Sequence, residues 1–139
     1  MERDKSLGLL SISRTGGTIA LGEEQVGAAA RASRARLVLL ASDAGGHTVR
    51  RVKGFTAGTA QPVLTLSYTR DELGDALGIS TCAVAAITDV CLARAFVRTL
   101  GDEEKYAALL QELDERVRRV EKRRAEEKAH RLNVRHGKK

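Results

Sequence analysis

The stretch from Leu37 to Gly78 constrains the fold of this chain more than any other. It alternates two apolar runs with two helix-like segments in one short pass. Leu37-Val38-Leu39-Leu40-Ala41 is apolar and ends at the turn formers Ser42-Asp43-Ala44-Gly45-Gly46. A basic segment, His47 to Lys53, reads as helix and runs to about Gly54, and Phe55 to Thr59 reads as a Gly/Thr loop. Pro62-Val63-Leu64-Thr65-Leu66 is a second strand, with its proline placed where no ladder donor is needed. Arg70 to Leu77 is a second helix, with Gly78 as its C-cap. Strands alternating with helices imply a layered α/β domain. The central strand, Ala35 to Ser42, is apolar without alternation, which is the pattern of a strand covered on both faces.

The flanking segments complete the same plan. Leu7 to Arg14 reads as a short helix broken by Thr15-Gly16-Gly17, and Thr18 to Leu21 as a short strand. Gly22-Glu23-Glu24 opens a helix to about Ala32, with two acids in its first turn. Cys82 to Thr88 reads as a buried strand, and Asp89 caps a helix that ends near Leu100. The expectation is a three-layer α/β/α sandwich with a roughly four-stranded mixed sheet and a long C-terminal helix. Residues 1–100 would form the domain and residues 101–139 a charged helical tail. Aromatic residues make up only 3% of the chain, so Ala, Val, Leu and Ile must build the core.

Charge is distributed unevenly. Residues 1–100 carry 12 basic and 9 acidic side chains, a net +3. Residues 101–115 hold one lysine against six acids, a net −5, and residues 116–139 hold 11 basic against 3 acidic groups, a net +8. A chain of net charge +6 and pI near 9.7 favours an anionic partner. Past Gly101, Asp102-Glu103-Glu104 stands where acids favour a helix start. Tyr106, Leu110, Leu113, Val117 and Val120 then recur every three or four residues, which makes one helical face. That seam can dimerise, meet a partner helix or pack on the chain's own domain. Beyond Val120 the helix reads as a solvated basic arm.

Several classes are set aside. Two cysteines, Cys82 and Cys91, with no nearby histidine suit a reduced cytoplasmic protein and supply no zinc site. No apolar run approaches the roughly 18 residues that a membrane span requires. Thr15-Gly16-Gly17-Thr18-Ile19-Ala20 resembles the threonine-nucleophile signature of bacterial L-asparaginases, yet the second motif of that family, His-Gly-Thr-Asp, is missing. These residues read as a turn into the first strand. We expect no catalytic residues, no metal and no cofactor.

The ordered punctuation of residues 7–100 resembles the ribosomal-protein superfamily that binds kink-turn RNA, the seven-Ae and thirty-e proteins. It is most similar to the bacterial YlxQ-type branch. The matching pieces are Leu9 to Arg14 and the Gly22-Glu23-Glu24 helix start, then the basic segment Arg31, Arg34 and Arg36 before the central strand. After these come the Asp43-to-Thr48 loop with Arg50-Arg51 behind it, Pro62, and Leu73-Gly74-Asp75-Ala76-Leu77-Gly78.

The resemblance implies an RNA-binding, ribosome-associated role with structured RNA, including ribosomal RNA, as partner. It places Gly22, Glu23, Glu24 and Gln25 against the RNA, where a helix N-terminus offers backbone donors. Arg31, Arg34 and Arg36 would add phosphate contacts, and Asp43 and Thr48 would form a neighbouring loop. Ser80, Thr81 and Cys82 would close over a flipped-out nucleotide. The contact motif is degraded: the ribosomal members carry Asn-Glu-x-x-Lys where this chain has Glu24, Gln25 and Ala28. The alternative is a protein-interaction module that has lost its RNA face and works through the 106–120 seam.

Overall fold

The computed structural model describes the backbone of residues 2–137 and the side chains of residues 5–134. Six helices and four strands alternate along it. They are α1 (Glu2–Thr15), β1 (Ile19–Leu21), α2 (Gly22–Arg31), β2 (Leu37–Leu40) and α3 (Gly46–Thr56), then β3 (Val63–Thr65), α4 (Arg70–Leu77), β4 (Val84–Ile87), α5 (Val90–Thr99) and α6 (Ala107–Gly137). The strands form one mixed sheet in the order β1-β4-β2-β3. β4 runs antiparallel to both β1 and β2, whereas β2 and β3 are parallel.

The two central strands are buried along their whole length. Their side chains alternate between two apolar layers. Leu37, Leu39, Ala85 and Ile87 face the layer that holds Leu10 of α1, Leu73 of α4 and Phe96 of α5. Val38, Leu40, Val84 and Ala86 face the layer that holds Val26 of α2 and Val52 of α3. A covered sheet therefore explains the absence of polar alternation in the sequence. No helix among the described residues is long and apolar enough to cross a membrane.

Local chemistry sets the helix ends. Thr69 and Glu72 close a reciprocal capping box on α4, and Gly78 takes the left-handed conformation at its C-terminus (φ +73°). Asp89 accepts from the backbone N–H groups of Cys91 and Leu92 and so starts α5.

Three boundaries differ from the sequence expectation. α1 begins at Glu2 rather than Leu7, because the charged residues ahead of Leu7 are competent helix formers without an apolar signature. α3 continues through Phe55 and Thr56, where a loop was expected. The Phe55 ring packs so closely on Gly27 that a Cβ there would lie 2.9 Å from it, and this contact holds the extra turn. α6 starts at Ala107, and Asp102-Glu103-Glu104 precedes it in a turn. The Asp102 carboxylate accepts from the Lys105 backbone N–H at 3.1 Å, a local bond that competes with helix.

The C-terminal seam is filled by the chain itself. Leu113 and Val117 are fully buried in the same cluster as Phe96 and Val97, and Tyr106, Leu110 and Val120 pack around them. Asp114 bridges Arg94 at 3.4 Å and Arg98 at 3.3 Å, which latches α6 to α5. The seam is therefore not the open docking face that a partner-helix reading requires. Residues 121–134 are exposed throughout.

Candidate nucleic-acid interface

At the end of the sheet where β1 finishes and β4 begins, three distant segments meet around a cleft of about 210 Å³. Leu21, Gly22 and Glu23 come from the β1–α2 junction and Thr48 from the first turn of α3. Ile79, Thr81, Cys82, Ala83 and Val84 come from the segment leading into β4. The cleft is smaller than the roughly 300–1,000 Å³ of a whole small-molecule site, so it suits one part of a larger ligand.

Each wall has a local cause. Gly22 sits at φ +83°, a left-handed turn that glycine adopts freely and that lets the strand pass directly into the helix. Gly74 allows the 79–82 segment to fold back over α4, because a Cβ there would lie 2.6 Å from the Ser80 carbonyl oxygen. The Ile79 N–H donates to the Gly74 carbonyl at 2.9 Å and the Cys82 N–H to the Arg70 carbonyl at 3.0 Å, which pins this rim in place. The Cys82 thiol is buried and donates to the Val84 carbonyl at 3.3 Å. Burial pushes that thiol above its ordinary pKa, so it stays protonated and contributes shape rather than nucleophilic chemistry.

Glu23 is the one charged residue in the lining of the cleft. Its Oε2 lies 3.6 Å from an Arg51 guanidinium nitrogen, while its Oε1 is buried without a hydrogen-bond partner. A carboxylate can only accept, and a buried acceptor left unpaired is costly. An incoming N–H donor would relieve that cost. The same Arg51 stacks on Phe55 at 5.3 Å, with Arg31 over the ring at 5.8 Å.

The structure brings together five of the residues singled out in the sequence: Gly22, Glu23, Thr48, Thr81 and Cys82. The others stand elsewhere. Glu24 is exposed beside the cleft. Gln25 turns back on its own helix and accepts the Leu21 N–H at 3.0 Å. Asp43 accepts the Arg70 N–H at 2.8 Å and so caps α4 from outside. Ser80 contributes its backbone over Gly74.

Arg34 and Arg36 lie at the opposite end of the sheet. Arg36 donates its N–H to the Ile87 carbonyl, whereas the cleft borders Ala83 and Val84. Roughly 10 Å of β4 separates the two. Arg31 closes α2 at the end away from Gly22. The reason is topological: α2 runs back along the sheet, so residues that follow it in sequence return to the far end of the sheet. Sequence reasoning also missed the Arg51 partner of Glu23 and the role of Gly74, both of which depend on contacts between helices.

An α/β/α sandwich with a mixed four-stranded sheet and a small cleft at one sheet end is the class this chain defines. No family model and no curated protein sequence matches it. Among solved structures, it resembles a protein with unknown function from Bacillus halodurans at 30% identity and a TM-score of 0.63, over 68% of this chain and 95% of that one. The chain belongs to the same family as that protein. It also resembles a Giardia lamblia 15.5kD RNA binding protein at 20% identity and a TM-score of 0.56, over 71% of this chain and 84% of that one, a likeness of fold.

Proposed function

We propose that this protein binds structured RNA and takes an unstacked nucleotide of a bent, kink-turn-like RNA into the cleft between Gly22, Thr48 and Thr81. The observation that carries the reading is the unpartnered, buried Oε1 of Glu23, a residue that lines a cleft of sub-ligand size. Nucleobases present amino and imino hydrogens to an acceptor of this kind, and a flipped base offers the edge that a duplex hides. Arg51 offsets the Glu23 charge and keeps the carboxylate compatible with a polyanion nearby. The Giardia protein of the same fold is described as RNA-binding, and the net charge of +6 suits the same class of partner. In this reading the protein is a cytoplasmic, ribosome-associated binding protein and not a catalyst.

The test compares a kink-turn RNA with a straight duplex of equal length. Glu23→Ala removes the acceptor and should weaken kink-turn binding by about 1–3 kcal/mol, the scale of a good base contact. Duplex binding should barely change. An equal change on both RNAs, or none on the kink-turn, would refute the cleft as the reading site.

A further inference from the structure

The opposite end of the sheet carries a second recess, of about 160 Å³, lined by Arg36, Val90, Arg116, Arg119, Val120 and Arg123. Four of its six lining residues are arginines and none is acidic. Arg36 comes from the approach to β2 and the other three from successive turns of α6. Sequence spacing could not have joined them, since they meet only because Leu113 and Val117 seat α6 on the domain.

Two of the nearby acids, Glu112 and Asp89, are already engaged, while Glu115 and Glu127, one turn from Arg119 and Arg123 along α6, make no ion pair among the described residues. Glu112 pairs with Arg116, which also donates to the Ala60 carbonyl at 2.7 Å. Asp89 is occupied by the Cys91 and Leu92 N–H groups. Arg36 spends one N–H on the Ser33 carbonyl. Arg119 and Arg123 have no carboxylate partner among the described residues. Four converging guanidinium groups with one paired carboxylate, Glu112, among them repel one another, and an anion placed between them removes that repulsion. Guanidinium forks match phosphate geometry with paired N–H donors.

We propose that this recess is a second anion site, filled by a backbone phosphate of bound RNA at a point remote from the cleft. The inference rests on the RNA reading above and adds to it a preformed contact between body and tail. It differs from a diffuse basic tail in one respect: Arg36, a residue of the body, belongs to the same site as Arg119 and Arg123.

The experiment measures affinity for the kink-turn RNA and the duplex between 50 and 200 mM salt by fluorescence anisotropy. The proteins are the full chain, Arg119→Ala with Arg123→Ala, Arg36→Gln, and Lys122→Ala with Arg124→Ala. The last pair removes the same charge from α6 outside the recess. Losing the one phosphate contact should flatten the salt slope by about 0.9, so the fourfold rise in salt costs the full chain about 3.5-fold more affinity than the double variant. Arg36→Gln, its fold checked by circular dichroism, should flatten the slope in the same direction, by no more than about 0.9. The Lys122/Arg124 pair should have less than half the effect of the Arg119/Arg123 pair.

Equal effects from the two α6 pairs would overturn the site, and so would an unchanged slope in Arg36→Gln. If the recess variants behave as expected while Glu23→Ala changes nothing and both RNAs bind equally, the cleft reading fails and the recess stands. A chain that binds neither RNA overturns both.

Discussion

Glycine-to-alanine substitution should have opposite signs at two helical positions of this protein. Inside a helix, alanine is favoured over glycine by about 0.5–1 kcal/mol, because glycine loses more backbone freedom on folding. At Gly54 in α3 a Cβ would meet nothing within 4 Å, so Gly54→Ala should stabilise by about that amount. At Gly74 in α4 the same Cβ would lie 2.6 Å from the Ser80 oxygen, 2.8 Å from the Ile79 oxygen and 2.9 Å from the Ser80 carbonyl carbon. All three are backbone atoms and cannot rotate aside. Overpacking of this kind costs about 1–3 kcal/mol, which outweighs the helix gain. The net expectation for Gly74→Ala is a loss of about 0.5–2 kcal/mol, or roughly 2–8 °C in Tm for a chain of this size. Thermal melts followed by circular dichroism at equal protein concentration would measure both variants. The displaced segment carries Thr81 and Cys82, so kink-turn binding should fall more than duplex binding. A Gly74→Ala protein as stable as Gly54→Ala would refute the close approach and the account of the cleft rim built on it.

Further outcomes follow from burial. Leu113→Ala should destabilise by about 2–5 kcal/mol, the cost of truncating a fully buried leucine. Ending the chain after Val120 should leave the melting transition intact, whereas ending it after Leu100 should abolish a cooperative transition. The raised pKa of Cys82 makes stability depend on alkaline pH. Below about pH 9 the thiol is protonated both folded and unfolded, and its contribution is complete. Above the reference value of 9.0 the unfolded chain ionises first, so stability falls as pH rises toward the higher folded pKa. Denaturant titrations from pH 8 to 10 should show a steeper decline for the native chain than for Cys82→Ala, and equal declines would assign the effect to other groups.

The elements themselves were legible wherever pattern and punctuation agreed. Arg70–Leu77 is bounded as expected because Thr69, Glu72 and Gly78 signal both ends within the local sequence. The strand at Leu37–Leu40 announced itself by an unbroken apolar run, and all four of its residues are buried. What the sequence concealed were the consequences of one element meeting another. Phe55 is helical because Gly27 lies against it, and no local signal at Phe55 encodes that. The placement of Arg34 and Arg36 far from Gly22 follows from the path of α2 across the sheet. The cleft was legible in the residues that line it, although its unpaired carboxylate oxygen depends on where Arg51 stands.

The strand order has a further consequence, for the timing of folding. β4, the last strand to be synthesised, is inserted between β1 and β2 at the centre of the sheet. Until residue 87 has left the ribosome, β1 and β2 have no strand to join them. At about 5–20 residues per second, that interval lasts on the order of seconds after β2 emerges. During it, the side of β2 that will receive β4 remains an open edge, of the kind that pairs with other chains. Packing of Leu113 and Val117 is delayed longer still. The nascent chain therefore spends its vulnerable period with an unfinished centre, and completes it by inserting a strand there rather than adding one at the rim.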